Sequence, residues 1–569
     1  MSVEQIKLGY IDTTVRTTDE TFLSALRAGR LPWEAMRPFP EPSSDYLHDG
    51  DSVVAEIDAV FRAHISGQEL ETTGTFPEAL VEAIRVRGYS RLRQPEEMGG
   101  FDLDAYTLLR VIQQLATWSM AAANTLAITN TVGPNAILRV LEPGPLRDYL
   151  IERISAGVIC AFGDSGPDGQ NNRFSSLTAT LTDDGTAYIL NGRKLFTGNA
   201  PIAELIAVSA TTEIDGQRAV VFPFLDTSSP GFRVHSEIEF IGYKGFPDGE
   251  MRFDNVRVPA EQVLTEVEQP ERLRTLTPVA VEARIFNIVS MALALGRRCA
   301  EWSREFVNRR WIDDRPLGQY EEIQRIVSLN LAELFATETI AQWTLRSASA
   351  DILFEQIAAK TLAARLAWRI ADRTVTLLGG EGVETAASKE RRGAQPIPAE
   401  QYLRDARILR TTANVDFQID NQAGQILLAR FYSGTPFTDP APRRDDAGLS
   451  SANQRLLAAT ADWFTELSER CVEIVTAHPD PKELFAHEHL VILVSRIAAE
   501  LFTATAVLAR SVGHSETQLL AEVYVSDAMH RVADLMARLD AESGIATPDY
   551  AALSDTWLTG SDLDFLLRV

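Results

Sequence analysis

The chain has 569 residues, 54 basic and 79 acidic side chains and a formal net charge of −25. That length exceeds what one simple core holds, so several domains are expected. The acidic balance disfavours nucleic acid and an anionic membrane as partners, because both need a basic patch.

Residues 1–49 form an N-terminal extension ending in a Pro/Ser-rich link, "RPFPEPSSDY". From about 50 to 160 the pattern is helical: "DSVVAEIDAVFRAHI" and "FPEALVEAIRVRGY" carry apolar residues at three- and four-residue spacing. "QPEEMGGFD" breaks this run as a turn at Gly99–Gly100. Over 161–262 short runs rich in β-branched and aromatic residues follow, among them "AYILNGRKLF", "LIAVSAT", "RAVVFPFL" and "GEMRFDNVRV". Turn signals such as "DDG", "NG" and "PDG" separate them, which reads as a small antiparallel β domain without a parallel sheet. Helices return over 263–432, a Pro/Gly/Ser-rich linker covers 433–451, and 452–569 is an all-helical tail. Helices, strands and helices in that order give an α+β fold: a helical domain, a central β domain, a helical bundle and an extra all-α tail.

Several devices are absent. There is no GxGxxG or Walker-type loop. Cys160, Cys299 and Cys471 are far apart with no CxxC pair, so neither a disulfide framework nor a zinc site is indicated, and a cytoplasmic location is expected. His487 and His489 stand two apart on a helical stretch, which does not place both rings on one face, so no metal is expected. "MSVEQIKLGYIDTT" lacks the basic start and apolar core of a leader. No apolar run reaches the roughly 18 residues of a membrane span, so no integral membrane contact is expected.

Five stretches, in this order, carry a resemblance: "QPEEMGGFDL", "YILNGRKLFTGNAPIAELIAVSA", "IGYKGFPDGEMRFDNVRVPAEQVL", "TLLGGEGV" and "YLRDARIL". Together they resemble the acyl-CoA dehydrogenase family over about 50–432, and the extension and tail resemble its very-long-chain branch. The resemblance implies FAD as cofactor, held between the β domain and the second helical domain. It implies an acyl thioester substrate, on CoA or on an acyl carrier protein, and a homodimer or homotetramer. The implied chemistry is removal of the Cα proton by a positioned carboxylate while hydride leaves Cβ for the flavin.

Carried over by position, "AFGDSGPDGQNN" (161–172) stands for the flavin loop, with Phe162, Asp164 and Ser165 as implied contacts. Asp164 occupies the place of a threonine, which is unexpected beside an electron-accepting ring. Phe196 stands for a tryptophan against the flavin, and Gly198 for a Thr or Ser whose side chain reaches it. Arg309, Gln324, Gly379 and Gly380 match the contacts made from a neighbouring subunit. The longer segment "ETAASKERRGAQPIPAEQ" (384–401), with Lys389, Arg391 and Arg392, is a solvated loop or a contact for a phosphopantetheine or carrier protein.

The base is where the pattern fails. Counting from Arg404–Asp405, the family's catalytic Glu falls on Ala413. The alternative position, immediately before Arg284, holds Ala283. Glu282 is one residue further back, about 100° round a helix, and is the single candidate for a relocated base; an ion-paired surface Glu is the competing assignment. Asp416 is expected to be a solvated or capping residue. Three functions follow: a flavin dehydrogenase of an unusual acyl or aminoacyl thioester in specialised metabolism; a non-dehydrogenating flavoenzyme on the same scaffold, such as a cyclopropane-forming cyclase or an N- or C-oxygenase; or a non-catalytic relative.

Overall fold

The computed structural model describes residues 20–169, 172–265, 270–349, 351–432, 446–540, 549–560 and 563–567. The first part of the N-terminal extension and residues 433–445 of the expected linker lie outside them.

The N-terminal helices start where short polar side chains can accept the free backbone N–H groups of a first turn. Ser43 caps α1 (Ser44–His64), Asp104 caps α2 (Ala105–Ala116) by accepting from the Tyr106 and Thr107 N–H groups, and Ser119 caps α3 (Met120–Thr131). Nearly every residue of α3 is buried, which places it between the helical layer and the sheet.

The β domain is one nine-stranded sheet: β1 (Cys160–Gly163), β2 (Thr178–Leu181), β3 (Ala187–Gly198), β4 (Leu205–Val208), β5 (Ala210–Ile214), β6 (Gln217–Asp226), β7 (Phe232–Glu237), β8 (Asp248–Pro259) and β9 (Val263–Thr265). The order is β1-β4-β6-β5-β2-β3-β8-β7, with β9 on β6. It is mostly antiparallel, but β1 pairs with β4, and β2 with β5, in parallel. This corrects the purely antiparallel expectation. Turn signals identify local hairpins, whereas these two pairs join strands whose connections pass through the intervening β3, and no local signal marks such a crossover. Two of the turn signals also resolve differently. "NG" (191–192) lies inside β3, where Gly192 sits at a register shift, and the Asp of "PDG" is the buried first residue of β8.

The second helical layer holds α4 (Pro270–Arg284), a π-helical turn at Ile285–Val289, α5 (Ser290–Arg309), α6 (Glu321–Arg346), α7 (Leu353–Leu378), α8 (Ala399–Leu409) and α9 (Asp416–Tyr432). The tail adds α10 (Ser451–Ala477), α11 (Glu488–Ser511) and α12 (Gln518–Leu539). The tail keeps no core of its own. Phe22 of the N-terminal helix Phe22–Arg27 stacks on Phe354 of α7 at 5.3 Å, and meets Phe464 of α10 and Phe502 of α11 edge-on at 5.7 and 5.6 Å. Asp420 of α9 ties the same seam by binding Arg365 of α7 and Arg496 of α11. N-terminal extension, bundle and tail therefore share one apolar interior.

Among the described residues, two helical stretches, Leu276–Arg309 and Glu488–Ser511, are long and apolar enough to cross a membrane by length and composition. The sequence expectation counted uninterrupted runs and missed them. Their apolar windows are 78% and 83% buried in the protein interior.

Candidate functional site

The strand β3 ends in a bulge, with register shifting between Lys194 and Thr197. Phe196 sits there with φ 53° and its residue surface 58% exposed. Left-handed backbone costs a non-glycine residue on the order of 1–2 kcal/mol, and an exposed aromatic ring returns little of that by burial. A strained, outward-facing ring is an observation that points to a ligand platform. Phe240 lies near its ring, with centroids 6.4 Å apart.

Next to it, Gly198 is closely packed. A Cβ on Gly198 would stand 2.5 Å from Ile128 Cδ1 of α3 and 2.7 Å from Phe246 Cζ. The side chain that the resemblance expects here would have to displace the ends of Ile128 and Phe246. Asn199 locks the strand end to α3: its Nδ2 donates to the Thr125 carbonyl and to Thr129 Oγ1, while its Oδ1 is buried without a hydrogen-bond partner. Thr197 Oγ1 is likewise buried and unsatisfied.

The loop after β1 is pinned to the sheet. Phe162 stacks on Phe222 at 6.4 Å, and the Ser165 carbonyl accepts from the Leu195 N–H. The Asp164 carboxylate accepts from Ser209 Oγ at 2.6 Å. Its carbonyl accepts from Lys194 Nζ, which also donates to Ser175 and Ser209. Burial pushes the Lys194 ammonium down to about 8, against the pull of Asp164. The unexpected carboxylate is thus engaged by the β domain's own polar network.

A second group of residues lies at the end of the bundle. Arg309, the last residue of α5, binds Glu305 and Glu381, the latter at 2.6 Å. Glu381 directly follows Gly379–Gly380, which cap α7. Gly379 has φ 58°, and a Cβ on either glycine would meet open space within 4 Å. Gln324, near the start of α6, donates to the Gly318 carbonyl. The fold therefore brings Arg309 to the glycine pair across 72 residues of sequence.

The position to which the resemblance assigns the catalytic Glu lies between α8 and α9. Ala413 and Asn414 both take left-handed backbone, φ 53° and 78°, in a tight exposed loop. Beneath it, Lys360 of α7, with 0% exposure, donates from Nζ to the Asn414 carbonyl at 2.5 Å. Burial, helped by neighbouring Arg284 and opposed by Asp416 and Asp420, lowers the Lys360 ammonium to about 7. Arg284 is half-buried by surface, desolvation lowers its guanidinium to about 10, and it donates to Gln422. Burial favours the neutral form of Asp416, but its hydrogen bond and ion pair with Arg410 hold it below the ordinary carboxylate value. It is a buried, ion-paired first residue of α9, where a solvated or capping residue was expected.

Glu282 points elsewhere. Its Oε2 accepts from Arg93 at 2.8 Å and lies 3.6 Å from Arg139, both in the N-terminal helical layer. Two guanidiniums fix it as an interdomain clamp, and a carboxylate so engaged is a poor acceptor for a carbon-bound proton.

The "RD" pair has a different task. Arg404 donates to the Ile241 carbonyl, and Asp405 accepts from the Tyr243 N–H, closing the end of the β domain onto α8. Burial raises the Asp405 carboxyl to about 7. Lys389, in the longer segment, is buried and turned inward onto the Ile397 carbonyl, while Arg392 pairs with Glu384.

Three family profiles match in chain order: acyl-CoA dehydrogenase N-terminal domain over 50–150, middle domain over 161–256 and C-terminal domain over 282–413. Together they take in more than half of the chain.

The chain belongs to the acyl-CoA dehydrogenase family.

Among solved structures, this family member is similar to acyl-CoA dehydrogenase from Bacillus anthracis, complexed with FAD. The TM-score is 0.71 at 15% identity, over 95% of this chain and 94% of that one. Butyryl-CoA dehydrogenase from Megasphaera elsdenii gives 0.56 at 21% identity, over 67% and 98%. Among curated relatives, probable acyl-CoA dehydrogenase FadE10 of Mycobacterium tuberculosis is 28% identical over 420 residues, 72% of this chain. The chain spans 63% of the length of that relative. Cyclohexane-1-carbonyl-CoA dehydrogenase from Geobacter metallireducens is 25% identical over 63% of this chain and 90% of its own.

Sequence reasoning missed two buried ionisable groups. Lys360 stood as a lone lysine in an alanine-rich helix, "IAAKTLAARLAW", and apolar residues on both sides were the available signal. Asp248 was hidden inside a turn motif.

Proposed function

We propose that this family member binds FAD and acts on an acyl or aminoacyl thioester, borne by CoA or by a carrier protein. We further propose that it works in the cytoplasm as a homodimer or homotetramer, in specialised metabolism. The observation that carries the cofactor assignment is the strained, exposed Phe196 on the β3 bulge, beside buried polar atoms that lack protein partners. The residues fit the group. Phe196 offers a ring face, the end of β3 offers hydrogen bonds, and Arg309 beside the open Gly379–Gly380 cap offers a cation and an uncrowded backbone for a phosphate-bearing portion. In this reading Arg309, Gln324 and the glycine pair serve a neighbouring copy. Arg309 must then exchange Glu381 for the incoming anion.

When bound, FAD supplies a two-electron acceptor. The protein's share is orientation and proton handling. Ala413 and Ala283 leave both ordinary base positions without a carboxylate, and Glu282 is held by Arg93 and Arg139. This favours slow net dehydrogenation, and with it the second reading: a flavoenzyme on this scaffold whose reaction does not need the standard base, such as a cyclase or an N- or C-oxygenase. Anaerobic titration of the FAD-loaded protein with acyl-CoA and acyl-carrier thioesters, followed by flavin absorbance, separates the two. Rapid bleaching supports dehydrogenation. Product formed without bleaching supports cyclisation, and in a parallel aerobic assay oxygen consumption dependent on added reductant supports the oxygenase. A protein that takes up no FAD overturns the assignment.

A further inference from the structure

Along α7, Arg365, Arg369 and Arg373 follow at four-residue spacing, which puts three guanidiniums on one face of the helix. Like charges at that spacing destabilise a helix, so such a row needs anions. Arg365 and Arg369 line a cavity of about 360 Å³ at the seam of bundle and tail. Arg496 of α11 and Arg531, Asp527 and Asp534 of α12 line it too. No residue assigned above to the flavin or to the position of the base takes part.

The charge balance differs between the two sides of this cavity. Where α7 meets α11, four arginines share two buried carboxylates. The Asp420 Oδ2 accepts from Arg365 Nη1 at 2.8 Å and from Arg496 Nε at 2.7 Å. Glu333 of α6 accepts from Arg369 Nε at 2.8 Å and from Arg373. Towards α12 the balance reverses: Arg531 alone serves Glu500 and Asp527, while Asp534 pairs with Arg538. One side therefore carries two uncompensated positive charges, although the chain as a whole is strongly acidic.

The arginines on that side also keep unused donors. The guanidiniums of Arg365 and Arg496 each make one hydrogen bond, to Asp420, and that of Arg369 makes one, to Glu333. Their side chains are 16, 33 and 31% exposed, so the rest of each fork is reachable from the cavity without any movement of the fold. A guanidinium presents several N–H groups in one plane, a geometry that matches the oxygens of a phosphate.

We propose that this cavity is an anion site that holds the phosphate group of a small ligand against Arg365, Arg369 and Arg496. The two uncompensated charges suit a phosphate dianion. Asp527 and Asp534 face the remainder of the ligand, where they accept hydrogen bonds from hydroxyl groups and repel further phosphates. The ligand is thus free phosphate or the phosphate monoester of a hydroxylated molecule. Bound there, it joins α7 of the bundle to α11 of the tail, as Asp420 does, and tightens the tail onto the bundle. The proposal is independent of the FAD assignment.

The test uses full-length protein in phosphate-free buffer at pH 7.5, with ionic strength held constant by sodium chloride. Inorganic phosphate and glycerol 3-phosphate are titrated separately, with calorimetry and the melting temperature as readouts. Wild type should show saturable heat and a saturable rise in melting temperature. Tighter binding of glycerol 3-phosphate assigns the site to a monoester, and tighter binding of inorganic phosphate to the free ion. Arg496→Gln should bind about tenfold more weakly, through loss of charge-assisted hydrogen bonds. Arg496→Lys keeps the charge and loses the fork, and should bind about threefold more weakly; it stands in for Arg496→Gln if that variant does not fold. Asp527→Asn should bind about twofold more tightly, because a like charge leaves the rim. If wild type and both Arg496 variants respond alike, the proposal is overturned. The same holds if neither phosphate acts on wild type beyond the effect of sodium chloride, even where Arg496→Gln lowers the melting temperature, because the arginines then form a seam of ion pairs and nothing more.

Discussion

The two walls of the candidate site differ in where their acids stand. On the bundle side, the loop at Ala413–Asn414 carries no acid, Lys360 donates to its Asn414 carbonyl from below, and Arg284 lies half-buried alongside. On the sheet side, the hydroxyl position is a glycine packed against Ile128 and Phe246, and an acid stands across the ladder at Asp248. The lesson is that a carboxyl can be absent at one wall and present at another without the scaffold changing. The environment then sets a different role: an exposed carboxylate in a loop is charged, whereas one buried without a cation is neutral.

Restoring the lost group tests that contrast most severely. Ala413→Glu should raise thioester-dependent bleaching of the FAD-loaded protein by roughly 100-fold or more, the usual scale for a positioned acid–base group. No increase would show that the loop no longer faces the substrate.

Gly198→Thr attacks the other wall. With Ile128 and Phe246 already in van der Waals conflict with any Cβ there, overpacking should cost about 1–3 kcal/mol in denaturant unfolding. Ile128→Ala in the same chain should recover much of it by making room. If Gly198→Thr is as stable as wild type, the seam is looser than described.

The pH dependence of stability isolates Asp248. Its carboxyl is raised in the folded chain, so between its unfolded value of 3.8 and about 8 the folded chain holds a proton that the unfolded chain has released. Stability from this group is therefore lost as pH rises through that window and is level above it. Wild type should lose stability relative to Asp248→Asn between pH 5 and pH 8. Glu355, buried and also raised to about 8, is present in both proteins and cancels. Urea midpoints at the two pH values give the answer.

The smallest effect is expected at the clamp. Glu282→Gln should change the bleaching rate less than about threefold, since its carboxylate is occupied by Arg93 and Arg139. A loss near 100-fold would make it the base after all.

Local signals made much of the fold legible. Ser43, Asp104 and Ser119 begin helices where capping chemistry places them, and β-branched runs became strands. Placement across the sheet was less legible. The parallel pairs of β1 with β4 and β2 with β5 arise from crossovers, which no turn residue marks. Among the site positions, Phe196, Arg309 and Gly379–Gly380 could be named in advance because their neighbours form ordered motifs. Their partners could not: Glu381 meets Arg309 only because α5 and α7 end together.

By itself, the sequence determined the family and that residue 413 is an alanine, because both depend only on which residues stand in a fixed order. Tertiary structure alone decided what the remaining acids do. Glu282 and Asp248 are both carboxylic acids in suggestive places. One is paired with two arginines that lie 189 and 143 residues away in the chain. The other is buried opposite a glycine with no cation near, so it keeps its proton. Charge state follows from what is packed around a group, and that packing is made by residues remote in sequence.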